Sequence, residues 1–261
     1  MEKVKALKKY GQNFLKNKLV LEKISSLVNV KRNDLIIEIG PGMGALTEFL
    51  SKKESFLLCY EIDERMKNHL SKYENNKTKI IFDDFMKRDI LKDLDSYDYE
   101  NLYVVANIPY YITSPIILKL IESPVNFKKI VLLVQKEFAE RLVANHGHKE
   151  YNAFTLFVDY FYDVKINSIV LRNDFEPAPK VDSAVIELVE KEREDINNQE
   201  GYFIFIKEAF KNKRKTLKNN LGNYDWNKVI NILTELGYNE SVRAEEISKD
   251  NFKILWEKLS K

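Results

Sequence analysis

The chain has one cysteine, eight glycines and six prolines in 261 residues, and it has no long apolar run. A single cysteine forms neither an internal disulfide nor a cysteine-rich metal site, which fits a reducing compartment. We expect Cys59, in the apolar run 55–60, to be an inert core thiol. Because no stretch of 18 apolar residues and no apolar signal core occurs, we expect a soluble, cytoplasmic chain without a membrane partner.

The chain also lacks a large net charge, since 42 basic residues against 40 acidic ones leave a formal charge of +2. The total does not indicate a nucleic-acid partner, but the distribution of charge is uneven. Six of the first 18 residues are lysines, and residues 207–218 contain five lysines and one arginine. Together these clusters could form one surface for phosphates, whereas each cluster alone is more typical of a solvated helix face.

Strand-like and helix-like runs alternate over the first 190 residues, which is typical of a parallel α/β sheet. The predicted strands are 35–39, 56–60, 79–82, 102–106 and 130–134. The first two predicted helices cover roughly 44–53 and 63–72. Two further β-rich runs, 154–162 and 183–189, have no long helix between them and predict an antiparallel hairpin that closes the sheet.

The pattern changes after residue 190. Charged and amide residues over 191–199 indicate a linker, and the residues that follow have helical periodicity throughout. We therefore predict two domains. Residues 1–190 form an α/β domain with a Rossmann-like, mostly parallel sheet and an antiparallel terminal hairpin, and residues 191–261 form a small all-helical domain.

Glycines 40, 42 and 44 join the first predicted strand to the first predicted helix. Such a turn lets the backbone approach a ligand closely, but its spacing also fits a dinucleotide fingerprint. Glu61 ends the second strand, where a carboxylate can accept hydrogen bonds from ribose hydroxyls. NAD and S-adenosylmethionine both carry such a ribose, so these residues leave both open. Asp84, after the third strand, could accept from an adenine amine or could cap a turn.

The segment Asn107-Ile108-Pro109-Tyr110 follows the fourth predicted strand. Pro109 favours an extended Ile108, so that the Ile108 carbonyl can point away from the ladder. An amide oxygen beside a carbonyl oxygen can bind an amino group, and the ring of Tyr110 offers a face on which a base can stack. Asn and Pro also end strands in many proteins, so the four residues alone are equally typical of a simple turn.

The combination is more informative than any one motif. The glycine turn, Glu61, Asp84 and Asn107 follow four successive strands, and the carboxyl ends of parallel strands share one edge of a sheet. That edge predicts a site for a nucleoside cofactor with a substrate amine beside it. A dehydrogenase would need partners for hydride transfer, which the sequence does not offer.

Six segments carry a resemblance to a known family. In chain order they are GQNFL (11–15), EIGPG (38–42), NIPY (107–110), VQKE (134–137), FEPAPKVDS (175–183) and RKTLKNNL (214–221). On these segments the chain resembles the rRNA adenine dimethyltransferases across essentially its whole length, and within them the KsgA type. Pro41, the pair Phe14-Leu15 and the segment 214–221 favour that type over the Erm enzymes, which methylate large-subunit rRNA.

The resemblance implies a function and a set of site residues. It implies dimethylation, with S-adenosylmethionine and without a metal, of two adjacent adenosines in the 3′-terminal hairpin of small-subunit (16S) rRNA, so that each exocyclic amine receives two methyl groups. The implied cofactor-binding residues are Asn13, Leu15, Gly40, Gly42, Glu61, Asp84 and Asn107. The implied catalytic residues are Asn107, Ile108, Pro109 and Tyr110. The expected substrate-binding residues are Tyr110, Phe175, Lys211, Lys213, Arg214, Lys215 and Lys218. The expected partner of this monomer is the small ribosomal subunit precursor with its rRNA.

Three alternatives stay open from the sequence. An Erm-type enzyme would act on large-subunit rRNA instead. A binding protein on the same scaffold, in ribosome maturation or transcription, would have dispensable catalysis, which the intact glycines, Glu61, Asp84 and segment 107–110 disfavour. A dehydrogenase is a third, more remote, possibility.

Overall fold

A computed structural model of the protein describes residues 6–7, 10–192 and 195–261. Within the described part, the chain divides into two compact units. The first contains the residues up to Ala139 together with Asp163–Glu190. The second contains Glu140–Tyr162 and Lys191–Lys261.

The first unit contains a seven-stranded sheet. Its strands are β2 (Leu35–Ile39), β3 (Phe56–Tyr60), β4 (Thr78–Ile81), β5 (Leu102–Asn107), β6 (Lys129–Gln135), β7 (Tyr162–Val170) and β9 (Ser183–Glu190). Their order in the sheet is β4-β3-β2-β5-β6-β9-β7. The pairs among β2 to β6 are parallel, whereas β9 is antiparallel to β6. The predicted fold class, with its antiparallel end, is confirmed.

The strand order places a crevice in the middle of the sheet. β2 pairs with both β3 and β5, so the connections that leave β2 and β5 diverge to opposite sides. Ile39 lies opposite Ala106 in the register, which brings Gly40 next to Asn107. Ligands of open α/β sheets bind at such a reversal, beyond the carboxyl ends of the strands.

Short helices accompany the sheet. In the first unit they are α1 (Lys18–Ser26), α2 (Thr47–Leu50), α3 (Lys67–Leu70), α4 (Ile90–Leu94) and α5 (Thr113–Glu122), and α6 (Lys136–Leu142) follows β6. All five residues of β2 are buried, as expected for a strand covered on both faces. Two separate strands, β1 (Phe14–Leu15) and β8 (Phe175–Glu176), pair antiparallel to each other.

One strand prediction is wrong. Residues 154–162 were predicted as β, but α7 spans Ala153–Phe161 and β7 begins only at Tyr162. The side chain of Asn152 caps the helix by accepting from the backbone N–H of Phe154 at 2.8 Å and of Thr155 at 3.4 Å. Aromatic and β-branched residues favour a strand locally, and here the cap and burial in the second unit outweigh that preference.

The second unit is helical. Besides α7 it contains α8 (Gln199–Ala209), α9 (Leu217–Asn220), α10 (Trp226–Glu235) and α11 (Lys249–Leu259). Its core is aromatic: Phe205 meets Trp256 with ring centroids 5.5 Å apart, and Tyr160 meets Phe203 at 5.3 Å. Because α7 supplies rings to this core, residues 140–162 group with the C-terminal residues. The predicted division placed residues 140–162 with the sheet, whereas in the structure they belong to the helical unit.

The length and composition of the helices indicate whether any of them could span a membrane. Among the described residues, no helix has the length and apolar character needed to cross a bilayer.

Candidate active site

A cavity of about 650 Å³ lies in the first unit, within the usual size for a cofactor site. Residues after β2, β3, β4 and β5 contribute to it, as does the segment before β1. The lining includes Gln12, Asn13, Glu38, Gly40, Gly42, Glu61, Asp84, Phe85, Asn107, Ile108, Tyr110 and Tyr111. The carboxyl ends of four neighbouring strands therefore share one cavity.

The glycine turn after β2 forms one wall. Gly40 and Gly42 have φ of +70° and +57°, in the left-handed region that a residue with a Cβ rarely adopts. The N–H of Gly40 donates to the Tyr60 carbonyl at 2.8 Å, which ties the turn to the end of β3. A Cβ at residue 42 would lie 3.1 Å from Cε1 of Phe14, so the turn also packs tightly against β1.

Glu61 is held by backbone donors. Its Oε2 accepts from the N–H of Gly42 and its Oε1 from the N–H of Asp63, both at 2.8 Å. Burial raises the pKa of this carboxyl above its ordinary value, and the two donors oppose the rise. Each oxygen keeps a further lone pair, so the carboxylate is oriented by the turn and can still accept from a ligand hydroxyl.

Glu38 is a second buried acid in the lining. It is 1 % exposed, and its Oε2 accepts from the Cys59 thiol at 3.5 Å. Burial raises the pKa of Glu38 to about 8, so this carboxyl is largely protonated at neutral pH. The sequence places Glu38 in a motif but gives no sign of this electrostatic environment.

Asp84 caps a short turn. Its Oδ1 accepts from the N–H of Met86 at 2.9 Å, at the start of the 3₁₀ turn Phe85–Lys87. Asp84 therefore caps a turn, which was one of its two predicted roles, and it also lines the cavity. The Phe85 ring beside it meets Tyr60 edge-on, with centroids 5.2 Å apart.

The turn that carries Asp84 and Phe85 is braced from α5. The ammonium group of Lys119 donates to the carbonyls of Met86 at 3.1 Å and Arg88 at 2.6 Å. The same group lies 5.5 Å from the centroid of the Phe85 ring. These contacts fix the ring that closes this end of the cavity.

Asn107 ends β5 with a defined amide orientation. Its Nδ2 donates to the backbone carbonyl of Asn13 at 3.4 Å, and no donor in the described residues bonds to its Oδ1. Ile108 lies beyond the strand, and its carbonyl likewise has no donor among the described residues. Two oxygen acceptors on consecutive residues therefore remain available beside the cavity.

Tyr110 is half-buried and anchored through its hydroxyl. The hydroxyl forms a 2.6 Å hydrogen bond with Oγ of Ser183, the fully buried first residue of β9. Burial raises the pKa of Tyr110, so the hydroxyl stays protonated at neutral pH. Ser183 belongs to a motif of the sequence, but its bond to a residue 73 positions away could not be predicted.

The segment before β1 closes the cavity from the side. The Nδ2 of Asn13 donates to the carbonyl of Gly11 at 3.2 Å. The backbone carbonyl of Asn13 accepts from Nδ2 of Asn107. Gln12 donates from Nε2 to Oδ2 of Asp63 at 2.9 Å and so connects this segment to the end of β3. Leu15 is 3 % exposed and also lines the cavity.

Comparison with known proteins decides the family. Residues 3–261 match the family described as ribosomal RNA adenine dimethylase. The chain belongs to the ribosomal RNA adenine dimethylase family. A ribosomal RNA small subunit methyltransferase A of Mycoplasmopsis pulmonis is 42% identical over 256 residues, covering 97% of this chain and 98% of the relative. One from Phytoplasma australiense is also 42% identical, covering 94% and 88%.

Solved structures agree with this dimethylase fold. A dimethyladenosine transferase of Plasmodium falciparum superposes with a TM-score of 0.77 at 30% identity, covering 93% of this chain and 95% of that one. The 23S rRNA methyltransferase ErmE gives a TM-score of 0.74 at 23% identity, with coverage of 95% and 100%, and at that identity the likeness concerns the fold alone. The predicted family and its cofactor, S-adenosylmethionine, are confirmed.

One predicted site residue of the dimethylase lies elsewhere. Phe175 was expected to cover the substrate base, but its side chain is 2 % exposed and belongs to the core of the first unit. It pairs with Leu15 in the small two-stranded sheet and does not line the cavity. Glu176, the next residue of β8, points to the opposite face and lines the cavity, as does Pro177 after the strand.

The predicted basic cluster in the second unit is accessible. The five residues of this cluster that were predicted to bind substrate are exposed: Lys211, Lys213, Arg214, Lys215 and Lys218. The ammonium group of Lys218 lies 5.6 Å from the ring centroid of Trp226. Of the N-terminal cluster, Lys3, Lys5, Lys8 and Lys9 lie outside the described residues, and Lys16 pairs with Glu176 at 3.4 Å.

Proposed function

We propose that this dimethylase transfers methyl groups from S-adenosylmethionine to the exocyclic amines of two adjacent adenosines in the 3′-terminal hairpin of small-subunit rRNA. The proposal rests on family membership and on the names of its relatives. The observation that carries the chemistry is the pair of available oxygens, Oδ1 of Asn107 and the Ile108 carbonyl, beside the cavity.

The cavity suits the cofactor in size and in chemistry. Glu61 offers an oriented carboxylate for ribose hydroxyls, and Asp84 with the Phe85 ring suits an adenine. Gly40 and Gly42 keep the turn free of side chains, so that a ligand can approach the backbone. When bound, the cofactor supplies a methyl group on a sulfonium that is already electrophilic.

The residues of the chain must make the adenine amine a nucleophile. That amine is weak because its lone pair is delocalised into the ring. If Oδ1 of Asn107 and the Ile108 carbonyl accept its two hydrogens, the nitrogen becomes pyramidal and the lone pair localises. Asn13 contributes by holding Nδ2 of Asn107, which directs the acceptor atom rather than the donor atom toward the substrate. Catalysis is then mostly positioning. As the N–C bond forms and the sulfonium–methyl bond breaks, the amine nitrogen would become acidic, so that its proton could leave to solvent without a strong general base.

A base in an RNA stack cannot reach this cavity, so the target must flip out. The Tyr110 ring, fixed by Ser183, provides the face on which it stacks. Stacking on an aromatic side chain contributes about 1–3 kcal/mol per base. The exposed cluster 211–218 would hold phosphates of the same RNA. We place the enzyme in the cytoplasm, as a monomer acting on a precursor of the small subunit.

Substitution of Asn107 tests the proposal. In Asn107→Ala, methyl transfer to small-subunit particles that lack the modification should fall below detection, because one of the two acceptors is lost. Affinity for S-adenosylmethionine, measured by calorimetry, should change little. Asn101→Ala is the matched control, since it removes the same side chain just before β5, away from the cavity.

Two outcomes contradict the proposal. Near-normal turnover of Asn107→Ala would exclude the role of its amide. Transfer by the wild-type chain to large-subunit particles, with none to small-subunit particles, would assign the Erm-type substrate instead.

A further inference from the structure

Tyr111 is an exposed aromatic residue at the candidate active site. Tyr111 is 66% exposed, and it lines the same cavity as Asn107. Tyr110 before it is half-buried and bonded to Ser183. Two consecutive rings therefore differ sharply: one is anchored inside, and the other faces solvent at the edge of the site.

The exposed ring is nonetheless held in place. Gly11 has φ of +59°, and a Cβ there would lie 3.0 Å from Cε1 of Tyr111 and 3.1 Å from Cβ of Pro109. The backbone at Gly11 thus packs directly against the ring, in a conformation and at a distance that suit glycine. Tyr111 itself belongs to the 3₁₀ turn Tyr110–Ile112, whose Ile112 N–H donates to the Pro109 carbonyl at 3.2 Å. A ring that packs against Gly11 and belongs to a hydrogen-bonded turn loses little further entropy when a ligand stacks on its exposed part.

An RNA substrate supplies a suitable ligand. When one base leaves its stack to enter the cavity, the neighbouring base loses a stacking partner on that side. We propose that Tyr111 stacks against the nucleobase that flanks the target adenosine. The inference rests on the proposed function, and it adds a substrate-binding residue that keeps the flanking nucleotide in place while Tyr110 receives the flipped base.

The first test uses the full chain and small-subunit particles that lack the modification. Tyr111→Ala should raise the KM for particles about 5- to 150-fold, which corresponds to the loss of one stacked base. Tyr111→Phe keeps the ring and should stay within about twofold of the wild type. Affinity for S-adenosylmethionine should be unchanged in both variants. Leu91→Ala is the control: it removes an exposed apolar side chain on α4, outside the cavity.

The second test identifies the base that Tyr111 contacts. Binding is measured by fluorescence anisotropy with a synthetic RNA hairpin that carries two adjacent adenosines, and with hairpins in which one or the other flanking base is abasic. The wild-type chain should bind one of the abasic hairpins as weakly as Tyr111→Ala binds the intact hairpin. Removal of that base should not further weaken the binding of the hairpin by Tyr111→Ala.

The possible results separate the two hypotheses. If the wild-type chain methylates particles and Tyr111→Ala has the same KM for them, the stacking role is overturned. The proposed function stays intact in that case. The stacking role is also overturned if the wild-type chain binds the intact and both abasic hairpins equally. It is overturned as well if Tyr111→Ala loses affinity for S-adenosylmethionine by the same factor by which its KM for particles rises. No methyl transfer by the wild-type chain to any ribosomal particle would instead overturn the proposed function.

Discussion

Replacement of Glu38 by glutamine should change how the stability of the fold depends on pH. Burial raises the pKa of this carboxyl from an ordinary 4.5 to about 8, whereas in the unfolded chain it returns to its ordinary value. Below pH 4.5 both states hold the proton, so the group has no effect. As pH rises toward 8 the unfolded chain gives up the proton first, and stability is lost progressively.

The size of the effect follows from the pKa. Between these two values the wild-type chain should lose up to about 1.4 kcal/mol of unfolding free energy per pH unit relative to Glu38→Gln. From about pH 5 to pH 8 the loss amounts to roughly 3.5 kcal/mol, a large fraction of the stability of an ordinary domain. Above about pH 9 the difference should stay constant, because the carboxyl is then ionised in both states.

Urea unfolding of both proteins across this pH range measures the difference directly. Glu48→Gln, which removes an exposed glutamate of α2, controls for the loss of one carboxylate. Since only the difference between wild type and variant is used, the other titrating groups largely cancel. Parallel stability curves for wild type and Glu38→Gln from pH 5 to pH 8 would refute the reasoning, because they would mean that Glu38 titrates alike in the folded and unfolded chain.

Three further predictions follow from the site. Tyr110→Ala should abolish most methyl transfer, whereas Tyr110→Phe should retain it. Tyr110→Phe should also lose about 1 kcal/mol of stability, because the Ser183 hydroxyl loses its partner. Equal loss of activity in both variants would assign the role to the hydroxyl. Gly42→Ala should lower the melting temperature and weaken cofactor binding about tenfold, because of its positive φ and the contact with Phe14; Gly222→Ala, where an added Cβ meets no atom within 4 Å, is its control. Exchange of Lys213 and Lys215 for glutamine should reduce the slope of log affinity for RNA against log salt by about one per lysine, and an unchanged slope would remove these residues from the RNA contact.

Much of the first unit was predictable because its strands are buried on both faces. A continuous apolar run defines β3 at the predicted residues Phe56–Tyr60, and a run that only Glu38 interrupts defines β2 at Leu35–Ile39. The run at 153–161 has a similar composition but forms a helix, because its side chains pack into the aromatic core of the second unit. Composition does not distinguish these two kinds of burial, and only the tertiary contacts do.

The candidate site divides in the same way. Gly40, Glu61, Asp84 and Asn107 follow successive strands, and parallel strands bring such positions to one edge, so the sequence predicts that they meet. The partners of these residues are far away along the chain. Asn107 bonds to Asn13 over 94 positions and Tyr110 to Ser183 over 73, so no local sequence pattern predicts these two hydrogen bonds.

The sequence by itself determined the family, the sheet and the order of the residues around the cavity, because strand periodicity and motif spacing are local properties. The tertiary structure alone decided that Phe175 is a core residue, that α7 joins the C-terminal helices and that Glu38 keeps its proton. Each of these depends on burial and on contacts between distant segments, which arise only when the chain is folded.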